Sequence, residues 1–259
     1  NFMPDRSYKV NLVQCRPQSS AGDVAPASIP RDVREERIVF TANRYVSNGR
    51  VAGISHIVYV DPDGYGQLHT IEELRSVGRA IGRLNTLLPR RRFILMGPGR
   101  WGSRGDIKLG VSVTYADINN TAMLIEIARR KGSYTPDLSF GTHFFQDLVE
   151  SRIRYLPLYP DEPGIIFNET FLRRSPSILT QLLPEFEPLS EVVRVIDVAA
   201  AAGGLLLSVS MNAELDQAMG ILSSRAYEPG DPSGPGGREA EMSEEHWRWR
   251  LHFVERIAA

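Results

Sequence analysis

The chain has 259 residues and a formal net charge of −1, with 42% hydrophobic and 24% charged residues, so its balance gives no support to a general nucleic-acid or membrane-surface role. Its single cysteine, Cys15, excludes an internal disulfide and a cysteine-rich zinc site, and it fits a reducing, cytoplasmic setting. No signal peptide is visible, the run from Val198 to Leu205 is too short and too glycine-rich to span a bilayer, and the opening Asn1-Phe2-Met3-Pro4 reads as the cut end of a longer protein.

Tyr8 to Arg16 alternates as a strand, with Tyr8, Val10, Leu12, Gln14 and Arg16 on one face. Pro17 ends it, and the Ser/Ala/Pro-rich stretch that follows reads as a linker. Ile54 to Val60 is a β-branched run closed by the turn Asp61-Pro62-Asp63-Gly64. Thr70 and Glu73 form a capping box, and Leu74, Val77, Ile81, Leu84 and Leu88 follow at helical spacing until Pro89. Arg92 to Met96 is the next strand, and Leu109 to Val113 reads as another. Asp117 or Asn119 is placed to cap a helix reaching about Lys131, with Ile118, Ala122, Ile125 and Ala128 inward and Gly132 at its end. Arg154 to Leu158, Val192 to Val198 and Leu205 to Ser210 read as strands, and Asn212 as the cap of a helix to about Leu222. Glu228 to Gly237 is rich in Pro and Gly and reads as disordered. A last amphipathic helix starts at Ser243, with Trp247, Leu251, Phe253 and Val254 on its apolar side.

Strands alternating with helices predict an α/β fold with a mixed sheet flanked by helices. The expected organisation is a terminal strand at 1–18, a linker at 19–36, an α/β domain at 37–226, a flexible linker at 227–242 and a tethered helix at 243–259. That helix is expected to dock on this domain or on a second copy of the chain.

Three constellations carry candidate chemistry. Arg92 to Met96 empties into Gly97-Pro98-Gly99-Arg100-Trp101-Gly102-Ser103-Arg104-Gly105-Asp106. It lacks the Gly-Lys-Ser/Thr ending of a P-loop and the glycine spacing of a dinucleotide fingerprint. Its residue types still suit an anion: Arg100 and Arg104 to clamp oxygens, Gly99 and Gly102 to present N–H groups, with Gly97 in the same anion-binding loop, Ser103 to donate, and Asp106 to hold a metal or orient an arginine. The same residues also suit a tight turn in which Trp101 fills core. The second is Gly141-Thr142-His143-Phe144-Phe145, where His143 is a candidate base, phosphate contact or phosphorylatable nucleophile, or simply a hydrogen-bonded structural residue. The third is Gln14-Cys15-Arg16-Pro17, where an amide and a guanidinium leave one strand face together. The arginine run 90–92, read as a solvated face, is of interest because it precedes the loop strand.

Val10 to Gln18 resembles the last strand of the nucleotide-binding domain of phosphoenolpyruvate synthases and pyruvate phosphate dikinases, an apolar run ending in Gln-x-Arg-Pro. Ile57 to Pro62, Phe93 to Val113, Tyr115 to Ala128 and Ser139 to Asp161 resemble the C-terminal region of a branch described as PEP/pyruvate-binding domain proteins. The resemblance implies that Gln14 and Arg16 help hold ATP, with Mg²⁺, in a protein whose remaining ATP site lies upstream of Asn1. Neither the Gly-Gly-x-x-x-His swivel motif nor the phosphoenolpyruvate barrel of the true synthases is recognisable. The expectation is therefore an accessory domain of an ATP-dependent phosphotransferase, inactive as a fragment, whose Gly97–Asp106 loop binds a phosphate or carboxylate. Its partners would be the upstream nucleotide-binding domain and a small phosphorylated or carboxylate ligand, with no nucleic acid or membrane. The alternative is a non-catalytic anion-sensing or oligomerisation module.

Overall fold

The computed structural model describes residues 24–102, 110–129, 138–139 and 142–224. The N-terminal strand with Gln14 and Arg16, the C-terminal helix, and Ser103, Arg104 and Asp106 lie outside the described residues.

The chain is α/β. A five-stranded mixed sheet runs in the order β6-β5-β4-β3-β7, and a four-stranded antiparallel sheet in the order β1-β9-β8-β2. The strands are β1 (Ile38–Ala42), β2 (Gly49–Ile54), β3 (His56–Val60), β4 (Phe93–Pro98), β5 (Met123–Ile127), β6 (Arg154–Leu158), β7 (Val193–Asp197), β8 (Leu206–Asn212) and β9 (Gln217–Ser223). β3, β4, β5 and β6 are mutually parallel, with Ile57 opposite Ile94 and Ile94 beside Met123, while β7 closes the far side of β3 antiparallel. The helices are α1 (Pro62–Gly66), α2 (Ile71–Leu87), α3 (His143–Glu150), α4 (Glu169–Arg174), α5 (Leu179–Leu182) and α6 (Val198–Ala201).

Three layers follow. The connections from β3 to β4, β4 to β5 and β5 to β6 all cover one face of the mixed sheet, burying Leu74, Val77, Ile81 and Leu84 of α2, Ile118, and Leu148 of α3 against Val58, Leu95, Leu124 and Val195. Parallel strands laid side by side with every crossover on one face are what right-handed βαβ connections produce. The opposite face, with Ile57, Ile94, Met96, Ile125 and Leu156, packs on Val39, Phe40, Val51, Val209 and Met211 of the antiparallel sheet.

α2 forms as its pattern predicts. Thr70 Oγ1 accepts from Glu73 N–H at 3.1 Å, and Glu73 Oε2 accepts from Thr70 N–H at 2.8 Å. Thr70→Ala is expected to cost about 1 kcal/mol, read as a lowered urea midpoint at unchanged slope. An unchanged midpoint would show that the cap contributes nothing here.

Five expectations change. Ile54 to Val60 is two strands in two sheets, because Ser55 breaks the run: its N–H donates to Arg92 O at 2.8 Å. The Asp61-Pro62-Asp63-Gly64 turn is instead the start of α1, with Asp61 as the N-cap accepting from the N–H groups of Asp63 and Gly64. The strand expected at Leu109 to Val113 reduces, among the described residues, to a single bridge from Gly110 to Gly99. The helix expected to reach Lys131 is the strand β5, all five of whose residues are buried. A strand covered on both faces shows no alternation, so periodicity alone does not separate it from a helix. The helix expected from Asn212 is the hairpin β8–β9. Asn212 does use its side chain to shape a turn, accepting from Leu215 N–H at 3.0 Å, but the turn joins strands.

Among the described residues, no helix is long and apolar enough to cross a membrane, and no cluster of His, Cys, Asp and Glu is suited to a metal ion.

Candidate functional site

The parallel strands deliver their carboxyl ends to one edge, the usual ligand edge of a sheet of this kind. Asp61 follows β3, Gly99 and Arg100 follow β4, Arg129 follows β5 and Tyr159 follows β6.

The loop after β4 is anchored from within. Trp101 is fully buried in the core under the helical layer. Gly97 makes room for it: a Cβ there would meet Trp101 Cζ2 at 2.7 Å and Val60 Cβ at 2.9 Å. Gly102, at φ +69°, would drive a Cβ to 2.5 Å from the Phe144 ring. The N–H of Gly99 donates to Ile127 O at 3.0 Å and that of Gly102 to Val111 O at 3.3 Å. The expectation that these two N–H groups face an anion therefore gives way. Gly97 and Gly102 are needed for the close approach of aromatic rings, and the N–H groups of Gly99 and Gly102 are used inside the fold. What the loop leaves unused, among its described residues, is Arg100, which is half-buried and makes no side-chain hydrogen bond or ion pair with a described residue.

Beneath the loop lies Glu126. It sits in mid-β5 on the helical-layer side and is fully buried. Its Oε1 accepts from Trp101 N–H at 2.8 Å and lies 2.5 Å from Ser139 Oγ. Its Oε2 accepts from Ser139 N–H at 2.6 Å and Tyr155 Oη at 2.8 Å. One carboxyl thus ties the β4 loop, the segment before α3 and β6 together. Burial without a paired cation pushes its pKa up, against the opposing pull of these hydrogen bonds, to about 7.

His143 is the first residue of α3 and is exposed. Thr142 caps the helix, its Oγ1 accepting from Phe145 N–H at 3.2 Å. Phe144 packs over Gly102, and Phe145 meets Tyr155 edge to face at 5.2 Å. The fold therefore sets the start of the His143 helix beside the β4 loop, two stretches 41 positions apart in the chain by their numbers (143 less 102).

On the antiparallel-sheet side of the same edge, α4 lies across the strand ends. Arg173 Nε is 2.7 Å from Asp61 Oδ2 and its Nη2 is 2.6 Å from Asp63 Oδ2. One turn earlier Glu169 pairs with Arg129, whose guanidinium also lies over the Phe167 ring. Residues four apart share a helix face, so these two pairs fasten one side of α4 to the ends of β3 and β5. The Arg173 guanidinium is held protonated above its ordinary range, first by its bond to Asp63. A cleft of about 640 Å³ opens beside this helix, lined by Arg129, Asp161, Phe167, Asn168 and Glu169 among others.

The arginine run 90–92 is structural at its centre. Arg91, at φ +59°, donates to Thr121 O at 2.6 Å and to Ser151 O at 2.7 Å. It locks the turn before β4 rather than facing a ligand.

Glu126, Tyr155, Asp61 and Arg173 are the residues that sequence reasoning passed over. The signal for Glu126 was present as a lone carboxylate inside Met123-Leu124-Ile125-Glu126-Ile127. Read as part of a buried strand, such a carboxylate must be bonded. Comparison with protein-family models, curated proteins and solved structures finds no match.

Proposed function

We propose that this chain is an accessory α/β domain of a phosphoenolpyruvate synthase-like, ATP-dependent phosphotransferase, and that it takes up a phosphate or carboxylate group at the loop leaving β4. The observation that carries the reading is Arg100. Its guanidinium has no described partner, and the residue lies at the carboxyl edge of a parallel sheet, in a loop braced by Trp101 and Glu126. A rigid base under a planar cation is what phosphoryl-group positioning requires. The resemblance assigns Gln14 and Arg16 to ATP, with Mg²⁺, and the residue type of Asp106 in the loop makes it a ligand candidate for that ion. His143, on the helix whose Phe144 covers Gly102, has the role of base or phosphoryl carrier.

Calorimetric titration with inorganic phosphate, phosphoenolpyruvate and ATP tests this. Arg100→Ala is expected to weaken binding of the competent anion at least about tenfold, a loss of roughly 1.4 kcal/mol, with an unchanged melting temperature. Absence of heat with all three ligands, or equal affinity in the variant, would sink the reading.

A further inference from the structure

The cluster around Glu126 contains a proton-counting problem. Ser139 Oγ lies 2.8 Å from Trp101 O and 2.5 Å from Glu126 Oε1. Both are acceptors when Glu126 is ionised, and a serine hydroxyl has one hydrogen to give. With the carboxyl protonated the conflict disappears: Glu126 Oε1–H donates to Ser139 Oγ, and Ser139 Oγ–H donates to Trp101 O. The remaining donors are still accepted, Trp101 N–H by Oε1, and Ser139 N–H and Tyr155 Oη–H by Oε2. Every short contact then has one hydrogen.

We propose that Glu126 carries a proton in the closed fold and acts as a pH-sensitive clasp that holds the β4 loop to the segment leading into α3. When the proton leaves Oε1 for solvent, the Ser139 hydroxyl turns to the carboxylate and releases the Trp101 carbonyl. The loop that carries Arg100 thereby loses one of its ties to Ser139. The clasp stands on its own geometry; its bearing on anion binding rests on the function proposed above.

The groups facing Glu126 are consistent with a neutral acid. β6 contributes the phenol of Tyr155, and Tyr159 beyond it has its own ionisation pushed up, mainly by burial. α3 presents Phe145 to Tyr155, while its His143 is exposed. The β4 loop and residue 139 contribute backbone and hydroxyl groups. Of the cations near it, Arg129 is paired with Glu169 beside Phe167, which packs in the core on the opposite face of the sheet, and Arg100, next to Trp101 in the chain, makes no ion pair with a described residue.

The sign of the pH effect follows. A carboxyl lifted from 4.5 to about 7 on folding binds its proton more tightly in the folded state. Its stabilising contribution is full below pH 4.5 and is lost as pH rises through about 7. The unfolding equilibrium constant should therefore rise roughly 300-fold across that window through this group.

The test is infrared spectroscopy of the protein in ²H₂O, with urea unfolding of wild type and Glu126→Gln across pH 5 to 8. We expect a protonated-carboxyl band in wild type that titrates near pH 7 and is absent from the Gln variant. The variant loses the Trp101 N–H acceptor and is less stable overall, but its stability should lose the wild-type slope with pH. A wild-type spectrum with no protonated carboxyl at pH 6 would overturn the clasp and needs no variant to fold. Parallel pH profiles for the two proteins would overturn it too. Titration with phosphate, phosphoenolpyruvate and ATP at pH 6 and pH 8 is read separately. No binding of phosphate, phosphoenolpyruvate or ATP at either pH removes the functional reading and leaves the clasp standing; binding with no carboxyl band does the reverse.

Discussion

Trp101→Ala is expected to destabilise the fold by about 3–5 kcal/mol, the largest effect of any substitution in the loop. Trp101 is the largest fully buried side chain among the described residues, at 0% exposure. It fills the space that Gly97 leaves open and lies in one core cluster with Val60, Leu95, Val111 and Leu124. Truncation leaves a cavity that the strands on either side cannot close without breaking their register. For a domain of this size the melting temperature should fall by roughly 10 °C. Trp101→Phe provides the contrast. It keeps most of the apolar volume and removes Nε1, which is buried without a hydrogen-bond partner among the described residues, so it should cost less than half as much. If calorimetry finds the two variants equally stable, Trp101 is not the anchor of the loop, and the rigid base assumed for Arg100 is lost with it.

Gly78→Ala should destabilise by about 1–3 kcal/mol, although helix propensity alone would make it stabilising by about 1 kcal/mol. Gly78 lies inside α2. A Cβ there would sit 2.2 Å from Ser112 O, a backbone atom in the segment between β4 and β5. That contact cannot be relieved by a rotamer change, so α2 or the 111–114 segment must move. Gly82→Ala, on the same helix, would bring its Cβ to 3.0 Å from a side-chain oxygen of Asp117, which has some freedom to shift. Urea unfolding of both variants checks the ordering. A Gly78→Ala protein more stable than wild type would mean that α2 is not pressed against the 111–114 segment.

Much of the α/β pattern was legible because local chemistry determined it. α2 carries its own start signal in Thr70 and Glu73 and a single apolar stripe, and Pro89 follows its end. β4 and β6 are short apolar runs bounded by turn residues. β5 was not legible, since Met123 to Ile127 is covered on both faces and its apolar residues also fit a helix. The β8–β9 hairpin was missed for a related reason: Asn212 shapes a turn in either setting, and only pairing with β1 and β2 makes the flanking runs strands. The break at Ser55, which sends β2 to one sheet and β3 to the other, depends on Arg92 O from 37 residues along the chain.

The candidate site divides along the same line. The amino-acid sequence by itself determined that a glycine- and arginine-rich loop follows a strand, that His143 opens an apolar helix after Thr142, and that the whole is α/β. Tertiary structure alone decided what those residues do. It gave the N–H groups of Gly99 and Gly102 to Ile127 and Val111, seated Trp101 in the core, laid Phe144 over Gly102, and buried Glu126 under the loop against Trp101 and Ser139. The physical reason is that burial and hydrogen-bond partnership are properties of residues distant in sequence. A carboxylate or a glycine acquires its role from what the fold brings against it, and no local pattern encodes that.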